Sequence, residues 1–88
     1  CHAPAELYRV RRRGFIRPGY FADLVLVDPK TEWQINPAEI ESKCGWSPFE
    51  GTTFHHKVVK TWVNGELVYT DGRVNDSIRG KRILFDPF

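Results

Sequence analysis

The sequence predicts a mainly β protein with one or two short helices, on three observations. Residues 24–27 form a run of four apolar residues between two aspartates, which is typical of a strand. Residues 57–70 contain two runs rich in Val, Thr, Trp and Tyr, separated by an Asn-Gly pair that favours a hairpin. Helix signals are confined to two short stretches, residues 4–10 and 36–43.

The first element in chain order is a short helix. Pro4 suits a first helical turn, and Leu7, Tyr8 and Val10 supply a short apolar face that ends before Gly14. Five arginines fall among residues 9–17, and arginine side chains in a last helical turn favour the negative pole of the helix dipole. We therefore expect these arginines to lie at the solvated C-terminal end of the helix.

The apolar run at 24–27 follows a Pro18-Gly19 turn. An uninterrupted run of this kind is typical of a strand that is buried on both faces, rather than of an edge strand. A chain of 88 residues has little material to cover both faces, so we expect that a layer of structure is missing from it.

Residues 29–54 are predicted to be irregular apart from one or two helical turns, where Asn36 can cap, Pro37 can open the turn and Glu39 occupies the capping-box position. Next, the Asn64-Gly65 pair predicts a type I′ turn that pairs residues 57–63 with residues 66–70. A second turn is expected at residues 71–72, and residues 82–86 could add a short closing strand.

Composition narrows the class of protein. The chain has a net charge of +2 and two cysteines. It has no methionine, so we expect it to be an excerpt of a longer polypeptide. It has no apolar stretch of membrane-spanning length, no signal-peptide pattern and too few cysteines for a disulfide scaffold, which favours a cytoplasmic protein. The basic residues 9–17 lack an interleaved aromatic platform, so nucleic acid is not predicted as a partner.

Three residue pairs could suggest chemistry: Cys1 with His2, Asp23 with Asp28, and His55 with His56. The adjacent histidines would point to opposite faces of a strand, and so could not hold one metal ion. The two aspartates bracket a strand and would lie roughly 16 Å apart, too far to share acid–base work. A reactive cysteine at residue 1 would require a true terminus. The sequence therefore predicts no catalytic, cofactor-binding or metal-ligating residue in this chain.

Three strings, at residues 4–28, 43–51 and 58–72, together resemble the amidohydrolase superfamily. The first is similar to the closing barrel helix and the returning strand of that superfamily, with its Gly-Tyr-x-Ala-Asp-Leu pattern at residues 19–24. The string Trp-Ser-Pro-Phe-Glu-Gly at residues 46–51 narrows the resemblance to the cyclic-amide hydrolases, and most of all to the dihydroorotase family. We expect Trp46 and Phe49 in this string to cap the core from a surface turn.

The resemblance implies that residues 1–14 end the last barrel helix and its connector, and that residues 15–88 form the C-terminal part of a composite β-sandwich domain. The (β/α)8 barrel of the parent enzyme is missing from this chain. In the family, that barrel holds zinc through an HxH pair, a carboxylated lysine and two further histidines, and an aspartate acts as general base. None of these has a counterpart here.

The implied partners are the N-terminal strands and the barrel of the same parent chain, together with a small-molecule substrate, and neither nucleic acid nor a membrane. The resemblance leaves open whether the parent is a homo-oligomer. The implied activity is the zinc-dependent interconversion of N-carbamoyl-L-aspartate and dihydroorotate in pyrimidine biosynthesis. Two alternatives remain: a dihydropyrimidinase or allantoinase relative, and a catalytically inactive dihydroorotase-like scaffold subunit.

Overall fold

The computed structural model describes residues 1–88 and is mainly β with one short α-helix, as the sequence predicts. In chain order the elements are α1 (His2–Leu7), β1 (Leu24–Asp28), β2 (Trp33–Gln34), a 3-10 helix (Pro37–Glu39), β3 (Thr53–Phe54), β4 (Lys57–Val63), β5 (Glu66–Thr70) and β6 (Arg73–Val74). Two compact units are present, one formed by residues 1–26 with 59–88 and the other by residues 27–58. None of the helices has the length and apolar character that crossing a bilayer requires.

The larger sheet has four strands in the order β1-β4-β5-β6. Its centre is the predicted hairpin, in which β4 and β5 are antiparallel and have the predicted bounds. Asn64 (φ 52°) and Gly65 (φ 81°) both take the positive φ that a type I′ turn requires. The pairing is regular from Val63 opposite Glu66 to Trp62 opposite Leu67, and a bulge then shifts the register. Both hairpin strands are interior strands of the sheet.

Strand β1 differs from its prediction in one respect. The sequence favoured a strand that is not at an edge, but β1 has only β4 as a neighbour and is an edge strand of this sheet. The reason is that the chain provides no further strand to pair with its other side. Val25, Leu26 and Val27 stay 57%, 49% and 46% exposed, so the apolar run is uncovered within these 88 residues.

The second turn lies where it was predicted, with Asp71 at φ 46° and Gly72 at φ 86°. It leads into the two-residue strand β6, which the sequence did not reveal. The predicted closing strand at residues 82–86 is reduced to a single bridge, Val10 opposite Phe85. A lone bridge forms there because the connector beyond Val10 leaves the extended conformation at Arg12, whose φ is 51°.

The unit of residues 27–58 is less irregular than predicted. Strands β2 and β3 form a separate antiparallel pair, with Trp33 opposite Phe54. The 3-10 helix lies where the helical turn was predicted, and Asn36 caps it by accepting a hydrogen bond from the Ala38 amide at 3.1 Å. Pro37 opens the turn at a position where its missing amide proton costs nothing.

Helix α1 ends at Leu7, well before the predicted limit near Gly14. No basic residue lies in its last turn, so the expectation that the arginines stabilise a helix end is wrong. The helix stops because Arg9 takes a left-handed backbone conformation (φ 53°), which an α-helix cannot accommodate. Gly14 lets the backbone approach the helix closely, since a Cβ built there would clash with the Cβ of Ala5.

The core is very small. Ala5 is the only buried apolar residue, and fourteen large apolar or aromatic side chains are exposed. Apolar surface of this extent is uncommon on a self-sufficient soluble domain, where large patches mark interaction surfaces. The exposed apolar surface therefore supports the prediction that covering structure is absent from this chain.

Candidate functional site

The best-formed polar cluster joins three separate parts of the chain: the arginine-rich connector (residues 9–13), the start of β1 and the turn of the hairpin. Arg13 forms an ion pair with Asp23, and its second guanidinium nitrogen donates to the side-chain oxygen of Asn64 at 3.0 Å. The Asn64 amide donates to Asp23 at 2.8 Å. We call Arg13, Asp23 and Asn64 the turn cluster.

Backbone hydrogen bonds hold the turn cluster in place. The Gly65 amide donates to the carbonyl of Ala22 at 3.0 Å, and the Phe21 amide donates to the carbonyl of Arg12 at 2.8 Å. The side chain of Arg13 is only 11% exposed and that of Asp23 is 33% exposed, so water screens this pair less than a pair on the open surface. The arrangement fixes the hairpin turn against the entry to β1.

The turn cluster was not predicted as a site. Its members are up to 51 positions apart in the chain, so no short motif contains them. One signal was available, because Asp23 is the only acidic residue among residues 7–27 while five arginines lie there. A single carboxylate beside so many cations is a candidate for a specific ion pair.

The arginines also contact aromatic rings, which sequence reasoning missed. The guanidinium of Arg13 lies 4.1 Å from the centroid of the Phe21 ring, and that of Arg17 lies 4.1 Å from the Phe15 ring. The guanidinium of Arg9 lies 4.7 Å from the ring of Phe88. Phe15 lies within residues 9–17, whereas Phe88 and Phe21 lie outside them; all three rings lie against arginines in space, where cation–π attraction adds stability.

The residue pairs considered for chemistry do not act together, as the separate contacts of Asp23 and Asp28 show. Asp23 belongs to the turn cluster, whereas Asp28 accepts hydrogen bonds from the Thr31 hydroxyl and the Lys30 amide. These two bonds, the Thr31 bond most of all, lower the pKa of Asp28. His2 stacks on Phe15 with the ring centroids 4.3 Å apart, so its ring is engaged in packing.

The adjacent histidines make separate contacts within the unit of residues 27–58. Nδ1 of His55 lies 3.2 Å from a carboxylate oxygen of Glu32, while the carbonyl of His56 accepts a hydrogen bond from the Trp33 indole at 2.6 Å. No group of three or more His, Cys, Asp or Glu side chains comes together anywhere in the structure. The donor set therefore does not fit a zinc site, which needs three or four converging ligands.

Cys44 is exposed, and its sulfur has two polar neighbours. Its sulfur lies 3.1 Å from the Ser42 hydroxyl and 3.7 Å from the carbonyl of Trp46. The hydrogen bond from Ser42 is the main cause that lowers the pKa of the Cys44 thiol. No histidine or cation accompanies it in these contacts, so the geometry does not assemble a nucleophile.

The residues of the Trp-Ser-Pro-Phe-Glu-Gly string lie on a surface turn. Phe49 makes an edge contact with Phe54 at 6.4 Å between ring centroids, and Phe54 in turn stacks on Trp33 at 5.3 Å. Phe49 thus caps a small aromatic group rather than the core, and it stays 59% exposed. Trp46 is 60% exposed and joins no such ring contact, so the expectation that it caps a core is wrong within this chain.

Comparison with curated proteins shows what the chain resembles. It is 40% identical over 81 residues to a dihydroorotase of Pyrococcus abyssi and 36% identical over 81 residues to a dihydroorotase of Pyrococcus horikoshii, with 92% of the chain covered in both. The chain belongs to the dihydroorotase family. It corresponds to a C-terminal segment of such proteins, as its sequence motifs indicated.

The chain matches only a part of each relative. This dihydroorotase segment spans about a fifth of the length of the curated dihydroorotases it matches, 20% for the Pyrococcus abyssi protein. A D-phenylhydantoinase of Escherichia coli is 31% identical over 87 residues, 97% of the chain and 19% of that enzyme. This likeness fits the amidohydrolase superfamily that the Gly-Tyr-x-Ala-Asp-Leu pattern indicated. No protein-family profile matches the chain.

Proposed function

We propose that this dihydroorotase segment is the C-terminal part of the small β-sandwich domain of a cytoplasmic, zinc-dependent dihydroorotase. The parent would interconvert N-carbamoyl-L-aspartate and dihydroorotate in pyrimidine biosynthesis. The observation that carries the proposal is the 40% identity to a dihydroorotase over 81 residues, because it extends along 92% of the chain rather than over one motif.

The role of the segment in that enzyme is structural. Arg13 and Asp23 serve turn formation in the turn cluster, and the His, Cys, Asp and Glu residues of the segment do not converge on a metal. Zinc and the groups that activate water would therefore belong to the barrel of the parent. We derive no catalytic step from the residues of this segment.

The partners follow from the exposed apolar surface. Strand β1 is an edge with apolar side chains about half exposed. A bare edge with an apolar face is a site for pairing with another strand. The N-terminal strands of the parent chain would pair with β1, and the barrel and those strands together would cover its faces.

A second candidate is a hydantoinase-type enzyme, favoured by the D-phenylhydantoinase match over 97% of the chain. The two candidates differ in the ring they open, dihydroorotate or a hydantoin. A third arrangement, an inactive dihydroorotase-like scaffold, would carry the same segment but hydrolyse neither.

The test is a substrate comparison on the full-length polypeptide that contains this segment. Steady-state kcat/KM is measured for dihydroorotate and for phenylhydantoin, with zinc present. The proposal expects dihydroorotate to be preferred by at least about tenfold, which corresponds to about 1.4 kcal/mol of transition-state discrimination. A preference for phenylhydantoin would establish the second candidate, and turnover of neither would establish the scaffold.

A further inference from the structure

A basic groove in the unit of residues 1–26 and 59–88 is not explained by the proposed function. It forms because the connector lies alongside the C-terminal stretch: the Arg11 amide donates to the carbonyl of Leu84 at 2.9 Å, and the Asp86 amide donates to the carbonyl of Arg9 at 2.8 Å. This pairing brings basic residues 11–13 next to Lys81 and Arg82, although about 70 positions separate them in the chain. The resulting groove has a volume of about 590 Å³.

The groove has more positive charge than its own acids neutralise. Arg13 is paired with Asp23, and Arg11 with Asp86. The remaining cations of the groove, Arg12, Lys81 and Arg82, are exposed and form no ion pair in the structure. Three cations on the wall of one groove produce a local positive potential that attracts anions with several charges.

The groove is also lined by four apolar or aromatic residues, which we call the apolar wall: Val10, Tyr20, Phe21 and Leu84. A ligand that fits both walls has an anionic group and an organic body. The guanidinium fork and the lysine ammonium are the side chains that best bind phosphate oxygens, the first in a planar geometry and the second as a point charge.

We propose that this groove binds a small organic polyphosphate, with the phosphate groups on Arg12, Lys81 and Arg82 and the organic body against the apolar wall. The volume falls within the range of sites for small molecules, which is roughly 300–1,000 Å³. The organic body lies against Val10, Tyr20 and Leu84, because the Phe21 ring lies against the guanidinium groups of Arg13 and Arg12, at 4.1 and 5.5 Å, and is not free to stack. A nucleic-acid strand fits less well, because its successive bases would need several free rings.

The test measures binding of two probes to the full-length polypeptide by calorimetry at about 150 mM salt, the ionic strength at which distant surface charges are screened. The two probes are a nucleoside triphosphate and inorganic tripolyphosphate, and a single-stranded oligonucleotide serves as the nucleic-acid comparison. The key variant is Arg82→Glu, and the matched control is Arg73→Glu, which makes the same charge change at an exposed residue of β6 that does not line the groove. Far-ultraviolet circular dichroism checks that both variants are folded.

The proposal expects saturable binding of both probes, tighter for the nucleoside triphosphate, with Arg82→Glu weakening the Kd at least tenfold and Arg73→Glu changing it less than twofold. The proposal would be overturned if neither probe bound. It would also be overturned if Arg82→Glu and Arg73→Glu weakened binding equally, because that would mean unspecific attraction between charges. Equal affinity of the two probes would exclude a role for the apolar wall. Tighter binding of a single-stranded oligonucleotide with the same Arg82 dependence would replace the small ligand by nucleic acid. Because turnover of dihydroorotate is not the readout, each result stands apart from the test of the proposed function.

Discussion

Replacing Arg13 by lysine tests whether the turn cluster holds the hairpin. Lysine keeps the positive charge, but its single ammonium group cannot bond Asp23 and Asn64 together while stacking on Phe21 as the planar guanidinium does. The hydrogen bond between the charged guanidinium and Asn64 lies in a part-buried setting, and bonds of this kind contribute about 1.5–3 kcal/mol. We expect Arg13→Lys to reduce local stability by about that amount.

The assay is native-state hydrogen exchange of the full-length polypeptide, followed at the amides of Asn64 and Gly65. These two amides donate to Asp23 and to the Ala22 carbonyl, so their exchange reports opening of the turn. A loss of about 1.5–3 kcal/mol corresponds to faster exchange by about 10- to 150-fold, because 1.36 kcal/mol is tenfold.

The matched control is Arg12→Lys, because Arg12 is a neighbouring arginine that is exposed and bonds neither Asp23 nor Asn64. Its effect should stay within about 0.5 kcal/mol, as for surface changes in general. If Arg13→Lys and Arg12→Lys change the exchange of the two amides equally, the turn cluster does not hold the hairpin and the reasoning is refuted.

Three further predictions concern the thiol, the metal and the exposed strand. Ser42→Ala should raise the pKa of Cys44, since the Ser42 hydroxyl bond favours the thiolate; the pH profile of alkylation would shift to higher pH, and an unchanged profile would contradict this cause. The 88-residue chain alone should bind no zinc with micromolar affinity and hydrolyse no dihydroorotate, which equilibrium dialysis and a turnover assay check; stoichiometric tight binding would overturn the expectation. The same chain should self-associate through the uncovered face of β1, and a concentration-independent monomer in sedimentation would count against missing cover.

Local turn chemistry is what the sequence conveys best in this protein. The Asn64-Gly65 pair requires positive φ at both positions, and this requirement places the turn, while the runs rich in Val, Thr, Trp and Tyr on its two sides give the bounds of β4 and β5. The cap at Asn36 follows in the same way from one side chain and the amide two residues later. In both cases all the interacting groups lie within a few residues of each other.

Features that depend on distant residues were not predictable in this way. Strands β2, β3 and β6 have two residues each, which is too short for any periodicity to register. The ion pair of Arg11 with Asp86 spans 75 positions, so no window of sequence contains both partners. The edge position of β1 depends on which strands the chain lacks, whereas its apolar run reports only that both of its faces suit burial.

The claim that the segment supports the enzyme without taking part in its chemistry is tested most directly by the turnover number of Gly65→Val in the full-length polypeptide. A Cβ at Gly65 meets no atom within 4 Å, so the change acts only through the backbone, where φ is +81°. Holding a β-branched residue in that conformation should cost on the order of 1–3 kcal/mol. Gly80→Val is the matched control, because its Cβ also meets nothing and its φ is not positive.

We expect Gly65→Val to lower the melting temperature relative to Gly80→Val, while kcat of the surviving folded enzyme on dihydroorotate stays within about threefold of the wild type. A large fall in kcat at an unchanged melting temperature would mean that the hairpin contacts the active site, and the structural role assigned to this segment would be wrong.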